Sequence, residues 1–575
     1  MKVTDILYIQ AEKNADKPAF GYKANNQWHT ISFSQYKTQS LQLAASLRAA
    51  GVGPGTKVAS ITFNRPEWNI LDMAILLAGG VHVSLYPNFN YADYQHSLDY
   101  TDAAFVFATG KLALQQVSSI QKENNKIKEV FSLDNTTGYR SIQNLIESGA
   151  QLPAISDNTA TENDIAAIYL TSGSTGKSKG ALVSHRAIMN TVTALKDIYA
   201  IKSDDRAISY APLCVSSERS LNYFYQLNGI CTYYAESMLS IVQNMQEIKP
   251  TIFLGSPLLL EKIRLGTIEK AGTLTGFSKF IFNAALNAAG SYRPNKKQHL
   301  NPLYHLYNRF VYSRIRDVMG GHVRFIMAGG AAIPVDVMKF FWQAGIPVYE
   351  GYGMTECHII SVNSDNRGIK FGTVGPLFKD VEIVLSNEGE ILCRSPYLFS
   401  GYYKQAPDAP EAFDRFGFFK TGDKGEWVDN KYLKVTGRLK DIFKTRSGKY
   451  VAPEMIEKAL GNSPFIHQCI ITGANQSHIS ALIVPAVAYA RQALFNGQEN
   501  DLPDEELVKS AKLKAAIQQA IDDFNIDYTE SEQVKSWHLI STPFSIENGQ
   551  LTPSMKLKRQ VIETEYAGLI TGSAA

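Results

Sequence analysis

Between residues 164 and 184 the chain runs from one strand-like segment directly toward another, and the turn joining them restricts what the fold can be. Asp164-Ile-Ala-Ala-Ile-Tyr-Leu170 is an apolar run of strand length, and Ala181-Leu-Val183 is a second. The turn is Thr171-Ser-Gly-Ser-Thr-Gly-Lys-Ser-Lys-Gly180. Its glycines Gly173 and Gly176 let backbone approach a ligand closely. The hydroxyls of Thr171, Ser172, Ser174 and Thr175 can donate to phosphoryl oxygens, and Lys177 or Lys179 can neutralise charge. The plainer reading is a flexible surface loop. A Walker A loop needs four residues between its first glycine and Gly-Lys-Ser/Thr, with a helix straight after. Here two residues separate Gly173 from Gly176, and the helix signal waits until Ser184 can cap residues 185–190. An ordinary P-loop enzyme is disfavoured.

Elsewhere, to about Leu433, strand-like runs alternate with amphipathic helical runs, the pattern of α/β layers. Residues 58–62 lead to a helix at Pro66. Residues 324–327 lead to Gly329-Gly330 and a helix over 334–344, and the chain returns through a strand at 346–349. Ligands of such sheets gather at the carboxyl ends of strands, so the loops at Thr171, Gly329 and Gly351 are candidates for one shared site. Beyond Val374, turn signals at Asn387-Glu-Gly389 and Asp429-Asn430 mark a β-rich subdomain. After Gly437-Arg-Leu-Lys-Asp441 an α+β segment follows, with a helix opened by Pro453 and strands near Ile470 and Leu482. The expected fold is α/β: a large N-terminal domain, residues 1–439, of α/β layers plus the β-rich subdomain, and a smaller mobile α+β domain, residues 440–575.

A chain of 575 residues with 45% hydrophobic composition can bury a sizeable core in more than one domain. Its formal net charge of +3 argues against nucleic acid as a partner. The five cysteines are scattered and in no C-x-x-C spacing, which suits a reducing compartment. The first residues lack a signal-peptide apolar core, and the most apolar stretch, 70–86, reads as a buried helix followed by a strand. The expectation is a cytoplasmic protein, with peripheral membrane-surface association and a homodimer left open. Residues 264–319 read as an extra surface hairpin of helices.

Tyr349-Glu-Gly-Tyr-Gly-Met-Thr-Glu356 follows a strand and ends in an acid. Tyr352 can stack on a purine, Thr355 can hydrogen-bond a phosphate, and Glu356 can hold Mg²⁺, which favours carboxylates together with substrate phosphates. The alternative is a tight turn with an incidental carboxylate. Gly351 and Gly353 lack the third glycine of a dinucleotide fingerprint. Asp423, in Thr421-Gly-Asp423, has the chemistry to accept ribose hydroxyls, although most Gly-Asp pairs are turns. Arg438, Lys440, Lys444 and Gly448 form a charged, bendable junction. Lys556, in the basic run 552–559, is not marked as catalytic by its surroundings.

The order of these segments carries more than any one of them. The Thr171 run, Ala328-Gly-Gly-Ala331, Gly351-Tyr-Gly-Met-Thr-Glu356, Thr421-Gly-Asp423, Gly437-Arg-Leu-Lys-Asp441 and Pro553-Ser-Met-Lys556 together resemble the adenylate-forming superfamily of acyl-CoA synthetases, luciferases and peptide-synthetase adenylation domains. Glu218-Arg219, the helical insertion and the segment 320–331 look most like long-chain fatty acyl-CoA synthetases. The resemblance implies ATP, Mg²⁺ and CoA: a fatty acid becomes acyl-AMP with release of pyrophosphate, and CoA then takes the acyl group. It also implies roles. The loop from Thr171 to Lys179 holds the outer phosphates, with Thr171 and Glu356 at the metal. Gly329, Gly330, Ala331 and Tyr352 frame the adenine, Glu350, Gly351 and Gly353 belong to the same cofactor-binding segment, and Asp423 and Arg438 hold the ribose. Thr355 and Lys556 serve adenylation, Lys440 is a hinge, and Lys444 with Gly448 serves thioester formation. Val215 and Ser217 stand where long-chain synthetases usually carry a histidine and an aromatic residue, and Leu258 where an arginine is common. The alternatives are transfer to a carrier protein, a different carboxylic acid, or a nucleotide-binding scaffold without catalysis.

Overall fold

The structure is a computed structural model and describes all residues except 156–159, 172–178, 273, 295–300, 406–411, 447, 496–502, 531, 553–554 and 572–575. The chain forms two compact units. The larger comprises Met1–Ile383, Cys393–Lys420 and Trp427–Lys434; the smaller comprises Val384–Leu392, Thr421–Glu426 and Val435–Ala575.

Two mixed sheets build the larger unit. The eight-stranded sheet runs His358–Val362, Val348–Met354, Phe325–Ala328, Ile252–Gly255, Arg206–Ser209, Cys231–Tyr234, Pro18–Ala24, Gln27–Ser32. Its inner neighbours are parallel and its two edge pairs antiparallel. The six-stranded sheet runs Glu129–Ser132, Phe105–Ala108, Lys57–Ile61, Val81–Leu85, Ile165–Thr171, Lys179–Ser184, and only its last pair is antiparallel. Strands such as Phe105–Ala108 are buried along their whole length, which is why they read as continuous apolar runs. The helix Pro66–Leu77 buries every residue but Glu67, the polar Asn69 and Asp72 included, and packs as a core helix. Its proline stands at the first turn, where no N–H is needed.

The antiparallel pair Ile165–Thr171 and Lys179–Ser184 is the strand-to-strand passage expected around the Ser/Gly run, with Thr171 opposite Lys179. The helix His185–Ala194 then starts where its capping residue stands, the Ser184 hydroxyl accepting from the Ala187 N–H at 3.2 Å. One strand is longer than its sequence suggests. Val348–Met354 continues through the glycines because it pairs with His358–Val362, Gly351 opposite Val362 and Met354 opposite His358. The turn is thereby displaced to Thr355-Glu356-Cys357.

In the smaller unit a three-stranded sheet, Ile466–Thr472, Ile479–Pro485 and Val534–Leu539, has both faces covered. Successive residues alternate faces: Ile471 and Ile483 pack with Ile456 of the helix Pro453–Leu460 and Ile517 of the helix Ala511–Ile526. Ile470 and Leu482 pack with Phe544, Leu551 and Ile562. Among the described residues no helix is long and apolar enough to cross a membrane.

Candidate active site

In the larger unit, three strand ends deliver the motif residues. The glycine run after Phe325–Ala328 lies against the next strand, since a side chain at Gly329 would come within 3.1 Å of the Gly351 carbonyl. Gly330 adopts φ 87°, a conformation glycine takes without strain. Glu350 is buried and its Oε1 accepts from the Ile333 N–H at 2.9 Å, which pins the segment after Ala331 to the strand Val348–Met354. Gly353 has no alternative: a Cβ there would sit 1.8 Å from the His358 carbonyl oxygen.

Glu356, at the turn, is buried, and Tyr402 donates its hydroxyl to Oε1 at 2.8 Å. The ring of Tyr402 carries the Lys179 ammonium 4.9 Å from its centre, a cation–π contact. Tyr402 also bridges Ala181 of the strand Lys179–Ser184. Thr171 closes this chain of contacts, its hydroxyl donating to the Lys179 carbonyl at 3.4 Å. One tyrosine thus joins the end of the Ser/Gly run to the acidic turn. Nothing local in the sequence marks Tyr402, whose hydroxyl reaches Glu356 across 46 residues. Ser172, Gly173, Ser174, Thr175, Gly176 and Lys177 lie outside the described residues.

Thr355 has its own unexpected neighbour. Ser216, first residue of the helix Ser216–Leu227, places its hydroxyl 3.0 Å from that of Thr355. Ser216 stands inside the stretch that departs from the long-chain pattern, between Val215 and Ser217. The same helix is anchored by a buried ionic group. Arg219, wholly inaccessible, pairs with Asp72 of the helix Pro66–Leu77, and its Nε donates to the Tyr223 hydroxyl at 2.9 Å. Its guanidinium lies 5.1 Å from the centre of the Trp68 ring and 5.4 Å from that of Tyr169. Burial by itself would raise the Asp72 pKa; the Arg219 charge and the His82 hydrogen bond outweigh it and hold the carboxyl below its ordinary range. Burial, with Arg219 close by, lowers His82, so its neutral ring donates Nδ1–H to Asp72 at 2.7 Å. Removing one member of such a buried pair costs about 3–5 kcal/mol.

Beside Arg219, Glu218 behaves in the opposite way. It is buried, its Oε2 has no hydrogen-bond partner among the described residues, and burial pushes its pKa up to about 8 against a hydrogen bond from Ser209. It is mostly a neutral acid at pH 7.

The smaller unit carries the remaining candidates. Asp423 is buried, and Arg438 Nε reaches its Oδ1 at 2.9 Å. Lys556 belongs to this group: Arg438, Glu454, Asp423 and Lys458 all act on its charge. Lys556 is exposed as a residue; desolvation, then the Arg438 charge, holds its pKa below the ordinary value, while Glu454 and Asp423 oppose the shift. The Lys556 N–H donates to the Thr552 hydroxyl at 3.0 Å, and Met555 sits at φ 63°. Lys440 is exposed in the turn between Arg438 and Asp441, whose N–H donates to the Arg438 carbonyl at 3.1 Å. Lys444 and Gly448 share a short ribbon, Phe443–Lys444 against Tyr450–Val451; a side chain at Gly448 would touch Lys444 Cε at 3.6 Å.

The donor set suits Mg²⁺ carried in by a nucleotide. Glu356 offers one oriented carboxylate, and among the described residues no group of three metal-ligating side chains forms a cage. Glu356 and Thr171 would hold such an ion.

Residues 7–403 match the AMP-binding enzyme family, and residues 440–573 match the AMP-binding enzyme C-terminal domain. The long-chain-fatty-acid–CoA ligase FadD15 of Mycobacterium bovis is 27% identical over 551 residues, 94% of this chain and 91% of that protein. The peroxisomal long chain acyl-CoA synthetase 6 of Arabidopsis thaliana is 29% identical over 599 residues, 99% of this chain and 84% of that protein. The crystal structure of the adenylation domain of the carboxylate reductase from Mycobacterium chelonae has the same fold, with TM-score 0.80 at 20% identity, covering 100% of this chain and 91% of that one. The chain belongs to the AMP-binding, adenylate-forming enzyme family.

Proposed function

We propose that this enzyme activates a fatty acid with ATP as acyl-AMP and passes the acyl group to CoA. The observation that carries the reading is the buried Asp423 paired with Arg438 at 2.9 Å, two groups whose charges also act on the Lys556 ammonium. An adenylating site needs a cation next to its nucleoside-binding groups, because carboxylate and α-phosphate meet there as two anions. The long-chain fatty acid relatives match over nearly the whole chain and support the choice of acid and acceptor.

In this reading Asp423 accepts the ribose hydroxyls and Arg438 orients it. Lys556 offsets the charge of the fatty carboxylate and the α-phosphate as a carboxylate oxygen attacks phosphorus and pyrophosphate leaves. Thr355 hydrogen-bonds the same phosphate, and Ser216 orients Thr355. Thr171 and Lys179 hold the outer phosphates, Gly329 to Ala331 with Glu350 and Tyr352 surround the adenine, and Tyr402 fixes Glu356. Mg²⁺, when bound, neutralises phosphate charge. Residues 440–575 form a mobile domain turning at Lys440, which withdraws Lys556 and brings Lys444 and the Gly448 segment up for attack of the CoA thiol on the acyl carbon, AMP leaving. The family match that begins at residue 440 supports this boundary.

The test is product analysis across carboxylic acids of graded chain length, with CoA present or omitted. Acyl-CoA formed best from long-chain acids supports the reading. Acyl-AMP that accumulates and never reaches CoA would assign a carrier-protein acceptor, and a preference for aromatic or short acids would reassign the substrate.

A further inference from the structure

We infer that the helical insertion is a docking surface for an anionic lipid bilayer. Residues 258–320 contain ten lysines and arginines but three acidic residues, a net of +7 in a chain whose total is +3, so the remainder carries −4. On the same helices large apolar side chains face solvent at helical spacing. The helix Gly276–Gly290 exposes Phe277 and Phe280, 72% and 69% accessible, while Ile281, Phe282 and Ala285 pack inward. The helix Pro302–Tyr307 and the π turn Asn308–Tyr312 expose Leu303, Leu306 and Phe310, spaced three and four residues apart. Both pack against Gly276–Gly290. In the helix Pro257–Gly272, Leu258 and Leu265 are exposed seven residues apart. Leu258 is the residue that stands where an arginine is common.

Exposed cations lie among these apolar groups: Lys279 between Phe277 and Phe280, Arg309 beside Phe310, and Lys262 one turn after Leu258. Elsewhere exposed apolar residues are mostly scattered singly, which is ordinary for a protein surface. Aromatic and leucine side chains flanked by lysine and arginine suit the boundary between acyl chains and anionic headgroups, where the cation ends snorkel to phosphate. A second copy of the chain is a poorer occupant, because a self-complementary contact would set this net +7 segment against itself. The inference rests on the surface and not on the assignment of the acid.

The full-length chain is sedimented with vesicles of phosphatidylcholine alone and with vesicles containing about one-third phosphatidylserine. Partitioning should be at least tenfold stronger on the anionic vesicles, and added salt should weaken it, as expected for roughly one unit of attraction per basic residue near the surface. Phe277→Gln with Phe280→Gln should lower it about tenfold at unchanged melting temperature. Lys279→Glu with Arg309→Glu is the second variant, used also if the first pair lowers the melting temperature, and should abolish the preference for anionic lipid. Absence of binding to anionic vesicles, or binding that both variants retain, would overturn the inference. So would loss of a dimer in the phenylalanine variant with vesicle binding unchanged.

Discussion

Ser216 and Thr355 place their hydroxyls 3.0 Å apart, joining the first residue of the helix Ser216–Leu227 to the acidic turn. The hydrogen bond fixes the Thr355 rotamer. A neutral hydrogen bond contributes about 0.5–1.5 kcal/mol, so Ser216→Ala should slow adenylation roughly two- to tenfold. Ser216→Thr should restore the rate, and KM for the acid should hardly move. A Ser216→Ala enzyme with wild-type adenylation rate would remove the positioning role.

Tyr402→Phe deletes the hydroxyl that Glu356 accepts while keeping the ring under Lys179. Hydrogen bonds to charged groups contribute about 1.5–3 kcal/mol, so kcat should fall roughly ten- to hundredfold. The Mg²⁺ concentration for half-maximal rate should rise and KM for the fatty acid should stay constant. A titration of rate against Mg²⁺ separates this from general damage, which would move both.

Lys556→Ala should cripple adenylation yet largely spare thioester formation from supplied acyl-AMP. Lys440→Pro should do the reverse, since proline fixes φ at the exposed turn between Arg438 and Asp441. Single-turnover assays of each half-reaction make the comparison, and equal loss of both halves in either variant would count against the role given to that residue.

Glu218 sets a pH dependence with a definite sign. Unfolded, it ionises near 4.5; folded, burial holds it protonated up to about 8. Between those values the folded state keeps the extra proton, so the contribution of this group to stability falls as pH rises, by at most about 1.4 kcal/mol per pH unit. Glu218→Gln has no proton to lose. Denaturant midpoints across this window should show the wild type losing ground to the variant as pH rises; parallel curves would place Glu218 in a more solvated setting.

Much of this was legible in the sequence where the signal was local. Ser184 capped its helix, Pro66 and Pro453 opened theirs, and the Ser/Gly run joined two strands, because each depends on residues within a few positions. The sequence pattern ends the strand Val348–Met354 early, because its continuation depends on pairing with His358–Val362. Tyr402 was invisible for a similar reason: its bond to Glu356 spans 46 residues, and nothing local distinguishes it from Tyr403. The Arg219–Asp72 pair spans 147 residues. Glu218-Arg219 stood out in the sequence as a pattern, yet only the fold separates a neutral acid from a paired cation.

The most direct test follows oxygen. A fatty acid labelled with oxygen-18 in its carboxylate is turned over with ATP and CoA, and the products are weighed by mass spectrometry. Attack of the carboxylate on the α-phosphate, followed by thiol attack on the acyl carbon, leaves one labelled atom in AMP and none in pyrophosphate. Label in inorganic phosphate, or unlabelled AMP beside acyl-CoA, would contradict acyl-adenylate chemistry at this site.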